Sequence, residues 1–202
     1  MADSDVLREA GKALDLEPGS ACLVDTGGRI LHCNPAWDRF AAENAAPPSV
    51  LARNVEGTTW LAGIAGEVRG RFEEVLRRAL AGQARSQPGE CNSAELHREV
   101  MSHFVPVLRG TRDVVGVGVV CSVLRVSPLG AVYQPAPPDE ALYRGPSGLL
   151  RMCSNCRRVA RVGPEPVRWD FVPAWVAARR VDVTHGLCPT CMELQFGDLL
   201  RT

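Results

Sequence analysis

The hydrophobic pattern near the N-terminus predicts one helix followed by a strand hairpin. Apolar side chains recur at helical spacing between residues 6 and 14, so this segment should form a short amphipathic helix. That helix would either lie at the edge of the fold or pack against a partner. Two strands are then predicted, Ala21–Asp25 and Arg29–Cys33. Gly27 and Gly28 between them supply the positive φ that a tight hairpin turn requires.

A helical pattern follows the hairpin. Asn34 is a favourable N-cap, and Pro35 suits the first position of a helix because its missing N–H is not needed there. The strongest helical pattern of the chain covers residues 64–80, where apolar side chains recur three and four residues apart. Gly82 is predicted to end this helix.

Three further strands are predicted, Arg85–Cys91, Leu96–Leu108 and Val114–Val126. The last of them is apolar on both faces, which is typical of a strand in the middle of a sheet. Two strands, several helices and three strands in this order predict an α+β fold. Its core would be a five-stranded antiparallel sheet with helices on one face.

Proline punctuates the segment that follows the last strand. Residues 127–148 contain five prolines, a composition that favours an extended, semi-rigid linker. Tyr133 and Tyr143 within it indicate that this linker lies against a folded surface. The predicted division of the chain is an N-terminal helix (1–16), a sheet-and-helix domain (17–126), a proline-rich linker (127–148) and a small cysteine-rich module (149–202).

Composition and charge narrow the class of protein. The apolar fraction of 46% suffices for a buried core, and 23 basic residues balance 23 acidic ones, so no overall field attracts nucleic acid or membranes. Residues 1–147 carry 15 basic and 18 acidic side chains, whereas 148–202 carry 8 and 5. The N-terminus has no apolar run, so we expect no signal peptide and no membrane segment. Eight cysteines in such a chain indicate a reducing compartment, and we expect a cytoplasmic protein.

Two Cys-x-x-Cys pairs give the C-terminal module its chemistry. Cys153 and Cys156 form the first pair, Cys188 and Cys191 form the second, and His185 precedes the second pair by three residues. Such pairs place four thiolates where one tetrahedral metal ion binds them, with Zn²⁺ as the default metal. We expect the four cysteines to be the ligands. His185 would support them by a hydrogen bond, or would replace one of them.

A structural zinc site is the interpretation we favour over a pair of redox-active dithiols or an iron–sulfur cluster. A segment of this length buries too little apolar surface to fold securely alone. Zinc binding would add on the order of 10 kcal/mol. Four protein ligands leave no coordination position for a reactive water, which argues against a hydrolytic centre.

The sheet-and-helix region resembles a PAS domain over about residues 17–126. The residues that carry the resemblance are Val24-Asp25-Thr26-Gly27-Gly28-Arg29-Ile30, Asn34-Pro35-Ala36-Trp37-Asp38-Arg39-Phe40-Ala41, Gly57-Thr58 and Phe104-Val105-Pro106-Val107. This resemblance implies a sensing or dimerising domain with a ligand cavity between helices and sheet. The side chains that we expect at such a cavity are Trp37, Phe40, Phe72 and Phe104.

The sequence does not indicate which ligand such a cavity would bind. Light-sensing PAS domains that bind flavin carry an Asn-Cys-Arg-Phe-Leu-Gln motif, and this chain lacks it, so we do not expect flavin. Haem would need an axial ligand that faces the cavity. The candidates His32, His97 and His103 lie on predicted strands where they could face solvent, and we do not expect haem either.

The cysteine-rich tail is similar to a C-terminal extension found on bacterial sensor kinases, response regulators and PAS proteins. The matching residues, between about 150 and 196, are Cys153-Ser154-Asn155-Cys156-Arg157-Arg158, Trp169, Trp175 and Thr184-His185-Gly186-Leu187-Cys188-Pro189-Thr190-Cys191. The similarity implies a bacterial signalling context and brings no established activity with it.

The sequence therefore predicts a cytoplasmic bacterial signalling or sensor module without a catalytic output of its own. The PAS region would sense a signal or form a homodimer, and the zinc-stapled tail would dock a protein partner of the signalling pathway. The sequence contains no nucleophile elbow, phosphate-binding loop or paired catalytic carboxylates, so we do not expect an enzyme.

Two alternatives stay open from the sequence. A zinc-ribbon-type regulator that binds nucleic acid would use the arginines of the basic tail, first of all Arg157, Arg158 and Arg161. The same three arginines are candidates for contact with a protein partner. Arg179 and Arg180 lie farther along the same tail. A thiol or metal redox sensor would release its metal on mild oxidation.

Overall fold

A five-stranded sheet organises the first part of the chain in this computed structural model, which describes residues 2–44, 46–178 and 180–200, with side chains to residue 197. Arg179 of the basic tail lies outside the described residues. The strands are β1 (Ser20–Asp25), β2 (Ile30–Cys33), β3 (Arg85–Glu90), β4 (Leu96–Arg109) and β5 (Asp113–Pro128).

The strand order confirms the predicted sheet. The order is β2-β1-β5-β4-β3, and β5 therefore lies in the middle, as its two apolar faces predicted. β1 pairs antiparallel with both β2 and β5. β3, β4 and β5 follow one another through short turns, which join antiparallel neighbours. The α+β class is thus confirmed.

Four helices accompany this sheet among the described residues. They are α1 (Asp3–Leu14), α2 (Pro35–Glu43), α3 (Ala52–Val55) and α4 (Val68–Leu80), with 3₁₀ turns at Pro48–Val50 and Trp60–Gly63. The predicted start of the long helix at Ile64 is wrong by four residues. Gly66 has a φ of 68°, a left-handed conformation that a right-handed helix cannot contain, so α4 begins only at Val68.

The chain divides into two compact units. As far as their residues are described, the first unit comprises Met1–Ile64, Gly70–Gln87 and Met101–Val123, and the second unit comprises Ala65–Arg69, Pro88–Val100 and Leu124–Thr202. The core of the first unit lies between the sheet and α4. Its buried members are Cys22, Val24, Ile30, Cys33, Val75, Leu76, Ala79, Phe104, Val117 and Val119.

The N-terminal helix packs on the opposite face of the sheet. Val117 and Val119 of β5 point into the core described above, so the glycines at 116 and 118 face the other side. A Cβ added to Gly116 would lie 2.8 Å from Leu7 Cδ2, and one added to Gly118 would lie 3.6 Å from Leu14 Cδ2. Both leucines belong to α1, which therefore fits closely over the sheet because these two positions are glycine.

Asn34 links the start of α2 to the chain before it. Its Oδ1 accepts hydrogen bonds from the backbone N–H groups of Trp37 and Ala21 at 3.0 and 2.9 Å. Its Nδ2 donates to the carbonyl oxygens of Leu14 and Gly19 at 3.1 and 2.9 Å. The predicted N-cap is confirmed, and the same side chain also holds the connection between α1 and β1.

The second unit has a small sheet and core of its own. Its further elements are α5 (Leu129–Val132), α6 (Glu140–Tyr143), β6 (Leu150–Cys153), β7 (Val159–Ala160), β8 (Trp169–Asp170), α7 (Pro173–Ala177), β9 (Val183–Gly186) and α8 (Pro189–Leu200). The strand order is β8-β7-β6-β9. Tyr143, from the segment predicted as a linker, is only 1% exposed and packs with Leu150 and Trp175. Among the described residues, no helix combines the length and apolar character that crossing a membrane requires.

Candidate metal centre

Four cysteine sulfurs of the second unit meet at one point. The Sγ atoms of Cys153, Cys156, Cys188 and Cys191 all lie within 4.8 Å of one another. Cys156 Sγ and Cys188 Sγ are 3.7 Å apart, and all four cysteines are fully buried. A zinc ion with Zn–S bonds of about 2.3 Å separates its sulfur ligands by about 3.8 Å. The separation of Cys156 Sγ and Cys188 Sγ thus matches that of two ligands in a tetrahedral zinc site.

The backbone explains why the two Cys-x-x-Cys pairs converge. β6 and β9 run parallel, with Cys153 opposite Gly186. The first cysteine pair therefore begins at the end of β6, and the second pair follows shortly after the end of the neighbouring strand β9. Ser154 strengthens this junction by donating from its backbone N–H to Gly186 O at 2.8 Å. Pro189 then begins α8, whose first turn contains Cys191.

A tight turn closes the first pair. The Cys153 backbone N–H donates to Arg158 O at 2.7 Å, and the Arg157 N–H donates to Cys153 O at 3.0 Å. Arg157 has a φ of 66°, the one positive φ outside glycine among the described residues. A bulky residue in this left-handed conformation costs energy, so the turn around the sulfurs is held by its surroundings.

Fixed N–H donors surround the sulfurs. Arg158 donates from Nε to Cys156 Sγ at 3.1 Å and from Nη2 to Cys188 Sγ at 3.0 Å. Asn155 donates from Nδ2 to Cys191 Sγ at 3.2 Å. None of these donors can accept a proton in return, so they suit sulfurs that act as acceptors, which is the state of metal-bound thiolates.

Charge at the site leads to the same interpretation. Burial lowers the pKa of Arg158, but the hydrogen bond to Cys156 and the charges of Cys156 and Cys188 outweigh it, so this pKa stays above its ordinary value. Hydrogen bonds among the sulfurs lower the pKa of Cys153 and raise that of Cys156. Four sulfurs this close cannot all be thiolates unless a cation shares their charge. The residues present therefore fit a metal ion.

Two residues that donate hydrogen bonds to the sulfurs, Arg158 and Asn155, were not assigned to the cysteine site from the sequence. Arg158 was selected from the sequence as a possible nucleic-acid contact, and in the structure it contacts two sulfurs. Asn155 was missed, because the middle positions of a Cys-x-x-Cys pair follow no pattern. A polar amide between the two cysteines of a Cys-x-x-Cys pair is the signal that could have indicated it.

His185 lies elsewhere than the sulfurs. It is exposed on β9 opposite Met152 and does not belong to the group of ligand atoms within 4.8 Å of one another. Its Cβ instead approaches Gly66, where an added Cβ would come within 2.7 Å of it. Its role as a supporting or alternative ligand stays a prediction.

The three arginines predicted to contact a partner or nucleic acid are separated by their environments. Arg157 is exposed, whereas Arg158 is half-buried against the sulfurs. Arg161 forms an ion pair with Asp170, whose other carboxylate oxygen pairs with Arg168 at 3.0 Å. Of the three, Arg157 alone presents its side chain mainly to solvent.

Comparison with known proteins does not assign this chain to a family. No protein-family model matches the sequence, and no curated protein matches it. Among solved structures, the chain is similar to the PAS domain of BvgS from Bordetella pertussis, with 18% identity, 60% of this chain and 88% of that chain covered, and a TM-score of 0.46. It is similar to the PAS domain of a protein from Colwellia psychrerythraea (15% identity, 59% and 98% covered, TM-score 0.40). It is also similar to the LOV protein of Rhodobacter sphaeroides, with 13% identity, 61% of this chain and 69% of that chain covered, and a TM-score of 0.45. At these values the likenesses carry no conclusion about a ligand or an activity.

The aromatic residues predicted for a ligand cavity lie in the first unit. Phe104 is fully buried in the core, and Trp37 and Phe72 pack against that core. Phe40 is half-buried and is not among the core residues. Trp60, which the sequence analysis did not select, lies edge-on to Phe104 with ring centroids 5.3 Å apart. Whether these rings line a ligand site stays a prediction.

The histidines considered for haem have partners among the described residues. The contacts are His32 Nε2 to Asp15 Oδ1 at 2.7 Å, His103 Nδ1 to Ser86 Oγ at 2.9 Å and His97 Nε2 to Glu90 Oε2 at 3.3 Å. The absence of haem and flavin remains an expectation from the sequence.

Proposed function

We propose that this chain is a PAS-type signalling or sensor module whose second unit is held together by a structural zinc ion. The observation that carries the proposal is the set of four buried sulfurs with fixed N–H donors on three of them. The module has no catalytic output of its own, and we expect it in the bacterial cytoplasm.

Zinc fits these ligands for chemical reasons. Four thiolates select a soft or borderline cation, and zinc accepts them in tetrahedral geometry. When bound, such an ion supplies a permanent cross-link between β6 and the start of α8. Cys153, Cys156, Cys188 and Cys191 hold it, Arg158 offsets part of the thiolate charge, and their complete burial keeps solvent away. A closed site of this kind stabilises a fold and does not activate water.

The signalling role follows from what the two parts offer. The first unit has the sheet-and-helix architecture expected of a sensing or homodimerising PAS domain. The second unit has an apolar core of its own, and four protein ligands would leave its zinc no open coordination position for chemistry. We therefore infer that it acts through its surface, which would dock a protein partner of the signalling pathway.

Nucleic-acid binding is the weaker alternative. Arg158 contacts the sulfurs, and Arg161 and Arg168 share Asp170, so these arginines have internal partners. Phosphate contacts need side chains that reach solvent. The redox alternative faces the complete burial of the four cysteines, because oxidation follows exposure as well as thiolate character.

Metal analysis of the purified protein tests the proposal most directly. We expect one zinc per chain by elemental analysis and a colourless absorbance spectrum, which would also exclude haem, flavin and an iron–sulfur cluster. Ser replacement of Cys188 should abolish stoichiometric zinc, whereas Ser replacement of Cys121, which lies on β5 in the first unit, should leave it unchanged. Metal-free protein that folds equally well would refute the structural-zinc part.

The signalling part needs a separate test. Light scattering coupled to size-exclusion chromatography should give a dimer, and affinity capture from the host should return a protein of a signalling pathway. A monomer without any captured partner would remove the support for this role. A gel shift that weakens steeply with salt would instead favour the nucleic-acid alternative.

A further inference from the structure

Glu90, the last residue of β3, is connected to the cysteine site through Asn155. Both residues belong to the second unit. The Asn155 Oδ1 accepts from the Glu90 backbone N–H at 3.2 Å, and its Nδ2 donates to Cys191 Sγ at 3.2 Å. A backbone N–H can only donate, so the amide oxygen must face Glu90 and the amide NH₂ must face the sulfur. One side chain thus joins a metal ligand to the backbone of β3.

A second connection runs through Tyr133. The guanidinium of Arg158, which donates to two sulfurs, lies 4.9 Å from the centre of the Tyr133 ring. The Tyr133 hydroxyl donates to Glu90 Oε2 at 2.8 Å. The ring is also fixed by Phe171, which stacks on Tyr133 with an interplanar angle of 4°. Any shift of Arg158 therefore reaches Glu90 through a single rigid ring.

Asn92 provides a third connection. Its Nδ2 donates to Cys156 O at 3.1 Å and to Glu90 Oε2 at 2.8 Å, while its Oδ1 accepts from the Arg98 backbone N–H at 3.1 Å. Asn92 is 6% exposed. The turn that carries Cys156 is thereby bound to the segment between β3 and β4.

The three connections converge on Glu90, two at its carboxylate and one at its backbone N–H. The Glu90 side chain is 10% exposed, and His97 beside it is 5% exposed. In such surroundings hydrogen bonds hold the joined side chains in place, and breaking them leaves buried donors without partners. The loss of fixed sulfur positions would remove the acceptors of Asn155 and Arg158 together, and both act on Glu90.

We propose that Glu90 couples metal occupancy of the four cysteines to the order of residues 88–100. This rests on the proposed function in one respect, namely that the cysteines bind a metal ion. With the sulfurs held in place, Asn155, Tyr133 and Asn92 fix Glu90 and with it the ends of β3 and β4. Without a bound ion, these links lose their anchor and this segment loosens while β1 of the first unit stays ordered. Metal binding would then control the order of residues 88–100 and also cross-link β6 to the start of α8.

Hydrogen exchange measured by mass spectrometry on the full chain tests this coupling. Zinc-loaded protein is compared with protein treated with a chelator. We expect exchange of peptides within 88–100 to accelerate at least about tenfold without zinc, a local opening. Peptides of β1 (20–25), in the first unit, should change less than about twofold. Equal acceleration in both regions would show general unfolding and would overturn the proposal.

Variants separate the relay from metal binding itself. Tyr133→Phe keeps the ring beside Arg158 and removes only the hydroxyl that donates to Glu90, so it should still bind one zinc per chain. Residues 88–92 should nevertheless exchange about three- to tenfold faster in the loaded protein. Tyr143→Phe is the matched control, because the hydroxyl that it removes donates to Asp170 and not to Glu90.

Two further outcomes distinguish the proposals. If one zinc binds but exchange of 88–100 is the same with and without it, the coupling is refuted and the structural-zinc proposal stands. If no metal binds, the proposed function fails at the cysteine site and the coupling fails with it.

Discussion

Replacement of Arg158 by Gln should weaken zinc binding by about 10- to 100-fold. The guanidinium makes two hydrogen bonds to sulfur, at 3.1 and 3.0 Å, and lies over the Tyr133 ring. Hydrogen bonds to charged groups contribute about 1.5–3 kcal/mol each when buried. Because Arg158 is half-exposed, we discount their sum to about 1.4–2.8 kcal/mol, and each 1.4 kcal/mol is about a factor of ten in affinity.

The neighbouring arginine provides the matched control. Arg157 is exposed and makes none of the side-chain hydrogen bonds to sulfur that Arg158 makes. Arg157→Gln removes the same charge at the adjacent position, so it should change zinc affinity by less than about threefold. Arg158→Lys should fall between the two, because an ammonium keeps the charge but cannot bridge two sulfurs with a planar fork.

Competition with a chromogenic zinc chelator at fixed pH and salt gives the affinities. The change should persist in high salt, because half-buried hydrogen bonds are screened less than surface charges are. Equal affinity of Arg158→Gln and Arg157→Gln would refute the reasoning, since it would mean that net charge alone, and not contact with sulfur, sets the stability of the site.

Three further substitutions test the fold by chemical denaturation of the zinc-loaded protein. Phe104→Ala should cost about 3–5 kcal/mol because the ring is fully buried, whereas Val105→Ala at a half-exposed neighbouring position should cost less than about 1 kcal/mol; equal costs would contradict the assigned core. Asn34→Ala should cost about 2–4 kcal/mol because it removes an N-cap and several buried hydrogen bonds, against less than about 0.5 kcal/mol for Asn54→Ala; a loss no larger than that of the control would speak against this role. Gly66→Ala should destabilise by at least about 1 kcal/mol, because its φ is 68° and the new Cβ would meet His185 Cβ at 2.7 Å, whereas Gly70→Ala within α4 should stabilise by about 0.5–1 kcal/mol; the same sign for both would refute the conformational argument.

Periodic patterns gave most of the first unit correctly. The order of strands and helices, the central place of β5 and the Asn34 cap all follow from local features: alternation, helical spacing and capping chemistry. The start of α4 was wrong because apolar spacing continues through residues 64–68, while the backbone conformation of Gly66 does not. A hydrophobic period records which faces are buried and says nothing of the φ that a glycine adopts.

The cysteine site was predictable for a different reason. Metal ligands need a fixed spacing in the chain, and Cys-x-x-Cys pairs carry that spacing in the sequence. The four sulfurs therefore meet as expected. His185 is near them in sequence, but it does not belong to the group of ligand atoms within 4.8 Å of one another, and its role as a supporting or alternative ligand stays a prediction.

The network behind the sulfurs has no counterpart in any local pattern. Asn155 reaches Glu90 across 65 positions of the chain, and Tyr133 reaches it across 43. The sequence does not distinguish a buried glutamate or asparagine from an exposed one. Only the folded chain shows that Glu90 and Asn92 are nearly inaccessible to solvent. The prolines of residues 127–148 predict a linker. Tyr133 and Tyr143 of that segment nevertheless donate hydrogen bonds to Glu90 and Asp170. Buried polar groups must find partners wherever the chain can supply them, and the partners of this site come from segments that the sequence assigned to other parts of the protein. A fragment cut at residue 149 would keep all four cysteines and lose three of the residues that fix their surroundings, so zinc binding by such a fragment alone would not measure what the site does in the whole chain.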